Sequence, residues 1–371
     1  MNHEADGIRC MQMRGGSSKG AYFLREDLPA ELAERNDLLL RIMGSPDERQ
    51  IDGIGGGHPL TSKVAVVARS AAADADVDYL FLQVVPGRAI VTDAQTCGNL
   101  LAGVGPFAIE RGLIPPSGET TDVRIRIMNP TVSLARARVR TPGGRVRYDG
   151  DAVMAGTPFP AAPIDIAFPG DDTPIFPTGR VVDRFAGVDV TCVHAGMPVV
   201  LVRAADLGIS GTEPPMVLEH DDALCSKVEA IRLEAGPAMG LGDVRDATVP
   251  KITIVSPPRQ GGTVTTRTFI PHRVHTAIGV LGAVSVAAGV LAPGTVATDS
   301  HPRRKTHASS LHEPGAPDRV VRIEHPTGSF EVALDLAGSG PATRVRTSAV
   351  VRTARKLFDG LVWPRSGKAT G

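Results

Sequence analysis

Apolar positions along this chain switch between two periods, and the switching predicts its elements. Ile8 to Met13 reads as a strand and Ala21 to Leu24 as a second, while Ala30 to Met43, opened by Asp27-Leu28-Pro29, carries its apolar residues at helical spacing. A loop through Gly44-Ser45-Pro46 and Ile51-Asp52-Gly53-Ile54-Gly55-Gly56-Gly57-His58-Pro59 leads to a strand at Lys63 to Val67. Val77 to Val84 alternates as its neighbour should. Cys97 then stands just ahead of an apolar, glycine-containing helix that continues to Gly112.

The same order of elements recurs roughly 180 residues later, the self-similarity that marks a duplicated unit. Gly196-Met197-Pro198-Val199-Val200-Leu201, then Ala205-Asp206-Leu207, echoes Lys19 to Leu24 followed by Asp27-Leu28. A helix from Asp221 to Leu233 follows, Val249 to Val255 echoes Thr61 to Val67, and Gly262 to Phe269 echoes the strand at Val77. His275-Thr276-Ala277-Ile278-Gly279 is read as the beginning of an apolar helix that ends at Leu291. The fold class is therefore α+β, with two similar halves over 1–187 and 188–371 and a tail from about 345 that can pack back on the first. The segment between the repeats is expected to form strands at Val132–Arg138, Val146–Tyr148 and Ile164–Phe168, and Asp299 to Arg319, with Arg303-Arg304-Lys305, to form a mobile surface loop. Two glycine-marked helix starts imply a shared cleft for a small polyanion, because each offers unpaired backbone donors and a partial positive charge.

Charge narrows the partner. Lys+Arg and Asp+Glu both number 40, so no basic surplus points to nucleic acid and a small molecule is expected instead. Cys10, Cys97, Cys192 and Cys225 lack CxxC spacing, which suggests neither a zinc site nor a disulfide framework and fits a reducing compartment. Met1 to Asp6 is polar and acidic, unlike a secretory signal, and the longest apolar run, Ala277 to Ala292, falls short of the roughly 20 residues that span a bilayer. A cytoplasmic protein with no membrane partner is the expectation; its assembly state stays open, a homodimer being one option.

Candidate chemistry gathers at a few positions. A cysteine at a helix start sits where backbone N–H groups and the dipole favour thiolate and bound anions, with Gly98 permitting close approach and Asn99 offering an amide; the alternative is one more small buried residue. Lys63, at the mouth of an apolar strand, can serve as a base if desolvation lowers its pKa, or it can be a strand-edge lysine reaching water; Lys251 at the equivalent place shows that the residue can be structural. Arg14-Gly15-Gly16-Ser17-Ser18-Lys19-Gly20 lacks the Gly-Lys-Ser/Thr ending of a nucleotide loop and makes better sense as a carboxylate cradle, or as a plain turn. Arg267, His272 and Arg273 precede the second helix start, where guanidinium groups can clamp a carboxylate or pair with surface acids. His58, after three glycines, can be a ligand, a proton donor or a plain loop residue, His325-Pro326-Thr327-Gly328 reads as a turn, and no two-histidine and carboxylate set has metal-ligand spacing.

Met13-Arg14-Gly15-Gly16-Ser17-Ser18-Lys19-Gly20, Gln50-Ile51-Asp52-Gly53-Ile54-Gly55-Gly56, Leu60-Thr61-Ser62-Lys63-Val64-Ala65, Cys97-Gly98-Asn99-Leu100-Leu101-Ala102-Gly103 and Phe269-Ile270-Pro271-His272-Arg273 resemble the motifs of the PrpF family, over nearly the whole length. The resemblance implies a diaminopimelate-epimerase-like fold of two pseudo-symmetric domains, each a curved sheet wrapped round a central helix. It also implies an isomerase that needs no cofactor and no metal and moves a proton on an unsaturated tricarboxylate, with Lys63 and Cys97 as the acid–base pair. Ser17, Ser18, Met197, Arg267, His272 and Arg273, with backbone donors at Gly98, Asn99, Ile278 and Gly279, are then the expected substrate-binding residues. The expected reaction is keto–enol or allylic isomerisation of 4-oxalomesaconate, as in gallate-type aromatic degradation. Cis–trans isomerisation of 2-methylaconitate and non-catalytic tricarboxylate binding are the competing readings. Ser17 departs from the family pattern, where threonine is common.

Overall fold

A computed structural model describes residues 7–94, 96–130, 132–170, 172–245, 247–298 and 319–369. The acidic start Met1–Asp6 and the polar stretch from Asp299 through Arg303-Arg304-Lys305 to Asp318 lie outside the described residues. The chain divides into two compact units, Met1–Ile166 with Val351–Gly371, and Ala167–Val350. The sequence pattern set the division at 187.

In the first unit, β1 (Ile8–Gly15) and β2 (Ser18–Leu24) form a hairpin that turns in two residues, with Gly15 opposite Ser18. Helix α1 (Leu32–Met43) starts where the Glu31 carboxylate accepts from the Glu34 amide and stops at Gly44, in the left-handed region at φ 87°. It lays Leu38, Leu39, Ile42 and Met43 on Phe23, Val64, Val66 and Leu82. β3 (Lys63–Arg69) runs parallel to β2 and antiparallel to β4 (Val77–Val84), whose end also pairs with β5 (Val91–Thr92). After α2 (Gly98–Glu110) come β6 (Thr120–Ile127), parallel to β4, and β7 (Ser133–Arg140), antiparallel to β6.

Strands β1 to β4, β6 and β7 all pack on α2, so this sheet wraps round a central helix buried on every side. Only small residues let strands approach a helix from all directions: a β-carbon at Gly103 would overlap the hydroxyl of Tyr22, which donates to Leu100 O at 2.6 Å.

β8 (Pro163–Pro169) carries the chain onward. The second unit then repeats the scheme with β9 (Asp183–Phe185), β10 (Val188–His194), β11 (Pro198–Arg203), α3 (Pro215–Glu219), α4 (Asp222–Ala238), β12 (Lys251–Ser256), β13 (Val264–Phe269), α5 (Val280–Leu291), β14 (Arg319–His325) and β15 (Gly328–Ala337). β10 and β11 are a hairpin, β11 runs parallel to β12, β12 antiparallel to β13, and β13 parallel to β14. Each pairing matches its counterpart in the first unit, and α5 lies against β10, β11, β14 and β15 as the central helix. The last strand, β16 (Arg344–Val362), pairs its residues 344–350 with β15 and its residues 354–362 with β1.

Two expected elements change. The helix placed at His275 begins at Val280 with Gly279 as its N-cap, because Val274 still bridges to Phe269 and the His275 amide donates to Thr268 O, which keeps this backbone on the sheet. Val146–Tyr148 is not a strand. It follows the Pro142-Gly143-Gly144 turn without a ladder, and Tyr148 instead donates its hydroxyl to Glu110 at 3.0 Å.

A buried carboxylate secures the second unit's 259–262 turn. Glu324 accepts from the amides of Arg259, Gln260 and Gly262 at 2.6–2.7 Å and from the Thr265 hydroxyl at 2.6 Å. Burial alone would raise its pKa, but these donors outweigh burial and hold it below the usual glutamate value. The charged form is thus preferred when folded. Its contribution to stability is complete above the ordinary glutamate pKa and is lost as pH falls through the lowered folded value. Urea melts of wild type and Glu324→Gln should therefore converge on acidification, with the variant less stable at pH 7.

Candidate active site

Four pieces of the first unit build the site. The β1–β2 turn needs glycine at 16, where φ is +54° and a β-carbon would overlap the Asn99 side chain. Arg14 braces that turn through Nη1, which donates to Gly16 O at 2.9 Å and to Thr353 O and Oγ1 at 3.0 and 2.9 Å. Asn99 reaches back from the second residue of α2 and donates its amide to Ser17 Oγ at 3.2 Å and Ser18 Oγ at 3.4 Å. Both serine oxygens act as acceptors there, so each keeps its own hydrogen to donate to an anion. Gly16→Ala should cost about 1–3 kcal/mol and raise KM for a carboxylate substrate; thermal melting and steady-state kinetics measure the two effects.

Cys97 is the N-cap of α2, buried, and makes no side-chain cap bond; no acidic residue sits in the first turn. The first-turn amides are therefore open to an incoming anion. The approach to this cap is held by Asn129, whose side chain donates to Asp93 O at 2.7 Å and to Phe81 O at 2.9 Å while accepting from Phe81 N. Tyr79 donates to Cys97 O at 3.2 Å, as Tyr22 does to Leu100 O. Burial, and after it the charge of Cys97, push both phenols well above their ordinary pKa, so they stay neutral donors.

Lys63 opens β3 beside Gly20 and is 7% exposed. Its Nζ donates to Gln83 Oε1 at 2.8 Å and lies 5.0 Å from the Phe81 ring centroid. Burial lowers its pKa, and the charge of Cys97 partly opposes this. Amine and thiol are thus electrostatic neighbours in one unit, beside two hydroxyls and an open helix start. Desolvation favours the neutral amine, which can take a proton from carbon; a thiol can give one, and the helix amides can hold the negative charge that forms.

Of the expected residues, Ser17, Ser18, Lys63, Cys97, Gly98 and Asn99 belong to the first unit, and Met197, Arg267, His272, Arg273, Ile278 and Gly279 to the second. Arg267 is buried and donates to the carbonyls of Glu213, Thr266 and Thr212 at 2.7–2.8 Å, which makes it a brace for that turn. His272 is exposed, and Arg273, also exposed, pairs with Glu219 at 3.4 Å. Met197 exchanges backbone bonds with the Ser285 hydroxyl, Ile278 is buried, and Gly279 caps α5. Lys251, like Lys63, has its pKa lowered by burial; His275 is lowered by burial first and then by the Lys251 charge. The ring of His58 accepts from Leu60 N at 3.0 Å within its own turn. The sequence does not single out Gln83, Tyr22 or Tyr79, and it offers Arg14 only as part of the Arg14–Gly20 loop. Gln83 left one trace there, as a polar residue near the end of an otherwise largely apolar strand.

Two α+β units of matching strand order, each wrapped round a central helix, define a diaminopimelate-epimerase-like fold. The chain belongs to the PrpF family, whose model, described as "PrpF protein", matches residues 6–364. It is 52% identical to (4E)-oxalomesaconate Delta-isomerase of Novosphingobium sp. (strain KA1) over 364 residues, covering 96% of this chain and 98% of that one. It is 50% identical to 4-oxalomesaconate tautomerase of Pseudomonas putida (strain KT2440) over 360 residues, covering 96% and 95%. A crystal structure of methylitaconate-delta-isomerase superposes with a TM-score of 0.83 at 31% identity, covering 96% of this chain and 95% of that one. Among the described residues no helix is long and apolar enough to cross a membrane.

Proposed function

We propose that this protein is an isomerase of 4-oxalomesaconate that works by proton transfer. The observation that carries the reading is the buried Lys63 amine, fixed by Gln83 Oε1 at 2.8 Å and lowered in pKa chiefly by burial, in the same unit as the Cys97 thiol at an open helix start. The names of its relatives support the same substrate. In 4-oxalomesaconate a methylene lies between a ketone and a carbon–carbon double bond, so loss of one proton gives a dienolate spread over both. Lys63 takes that proton and becomes an ammonium. Return of a proton to the oxygen gives the enol; return to the far alkene carbon gives the isomer with a shifted double bond, and Cys97 is the group assigned to this second transfer. Backbone N–H groups of Gly98 and Asn99 hold the dienolate oxygen, and the hydroxyls of Ser17 and Ser18 hold a carboxylate. The reading carries a cytoplasmic location, supported by free thiols at Cys10, Cys97, Cys192 and Cys225.

Proton NMR in D2O tests it, with the keto form of 4-oxalomesaconate and 2-methylaconitate incubated in parallel. Catalysed deuterium entry at the methylene, with conversion of the oxo acid alone, is the expected result. Turnover of 2-methylaconitate without exchange in the oxo acid would establish the cis–trans reading, and binding of both without exchange would make the protein a carrier.

A further inference from the structure

We infer that Gln83 is the positioning residue for Lys63: its side-chain carbonyl holds the amine in place, and does so without setting a charge beside it. The inference rests on the reading of Lys63 as the carbon base.

Lys63 and Gln83 face each other across the β3–β4 ladder, and both are 7% exposed. A primary amide can present either end to its neighbour, and only the oxygen is compatible with an ammonium. Here the other end is already committed, because Gln83 Nε2 donates to Ser62 O at 2.7 Å and Pro59 O at 3.3 Å. Oε1 is thereby aimed at Lys63 Nζ, 2.8 Å away. Ser62 is fixed in turn: its hydroxyl donates to Val84 O at 2.8 Å and accepts from Gln50 Nε2 at 2.7 Å. Gln50, held at a φ of +51°, accepts from Gly57 N at 3.0 Å. A line of bonds, buried from Gln50 onward, thus runs from the glycine-rich loop to the amine.

The chemical identity of residue 83 matters as much as its position. A carboxylate there would accept the same bond, but an opposite charge at that range raises an amine pKa by about 1–3 units and would keep Lys63 protonated. A methionine would fill the space and leave the amine free to swing. Glutamine orients Nζ and preserves the effect of burial. Of the elements around the amine, β2 brings Gly20 alongside, β4 brings Gln83 and Phe81, and α2 brings Cys97, the ionisable group whose charge acts on Lys63. Tyr22 and Tyr79 beyond it stay neutral.

The test uses full-length Gln83→Glu and Gln83→Met. It follows Lys63 ionisation by carbon-13 NMR of the lysine ε-carbons, with the Lys63 signal assigned by its loss in Lys63→Met, together with kcat and kcat/KM for 4-oxalomesaconate against pH. In Gln83→Glu the Lys63 midpoint should rise by a pH unit or more, and the acid limb of kcat/KM should move with it, about tenfold less activity per unit on that limb. Gln83→Met should lower kcat at least tenfold with KM nearly unchanged. A midpoint that stays in place in folded Gln83→Glu overturns the inference; if that variant does not fold, an unchanged kcat in Gln83→Met does so. A midpoint that moves while the rate profile stays put leaves the coupling standing and removes Lys63 as the base.

Discussion

Lys63→Ala is expected to lower kcat by about 10²–10⁴-fold, the range a positioned general base contributes, with substrate affinity changed only a few fold. The amine is the group in the first unit suited to this task. It is buried, its pKa is lowered chiefly by burial, and Gln83 fixes the direction of its hydrogen bond. Lys63→Arg should be as inactive as the alanine variant, because a guanidinium keeps the positive charge but does not deprotonate in a protein. That pair of variants separates the base from a merely attractive cation. In the wild type, activity should fall tenfold per pH unit below the Lys63 pKa, with the break lying on the acid side of the ordinary lysine value, since desolvation disfavours the charged form. Spectroscopic assay of keto–enol interconversion, alongside calorimetric titration with the substrate, reads both quantities. An arginine variant that retained most of the activity would move the chemistry elsewhere.

How much of this is visible in the sequence depends on the distance over which each feature is encoded. The duplication is written in local periodicity, so the strand at Lys63 and its counterpart at Lys251 can be paired without coordinates, and both residues do open the strand that runs parallel to the second strand of their unit's hairpin. Cys97 stood out for the same reason, because a helix start is a local signal. Partners set by strand register were not legible. Gln83 meets Lys63 only because β4 pairs with β3 in one particular alignment, and a shift by one residue would turn it to the other face. Arg267 shows the converse. Its chemistry suits a carboxylate clamp, but carbonyls of Thr212 and Glu213, over 50 positions earlier, converge on its guanidinium. β16 is not legible in the sequence because Arg344–Val362 mixes charged and apolar residues without one sustained alternation. The sequence starts the second central helix five residues early because the apolar run from Ala277 is continuous with it, while the bonds that tie Val274 and His275 to β13 are invisible to local pattern.

Cys97→Ala separates the two halves of the proposed reaction. Lys63 and its Gln83 support lie on β3 and β4 and do not depend on the thiol, so the variant should still exchange the substrate methylene with D2O. Net isomerisation, which needs a proton delivered at the second position, should fall by about 10²–10⁴-fold. Cys97→Ser distinguishes a proton donor from a relay. A hydroxyl is too weak an acid to give its own proton readily, but it can pass one from water, so substantial activity in the serine variant would assign relay to position 97. Activity as low as that of the alanine variant would assign it the acid itself. Exchange and isomerisation that fell together in Cys97→Ala would instead mean that the thiol takes part in the first proton removal, and the division of labour between the two residues would have to be redrawn.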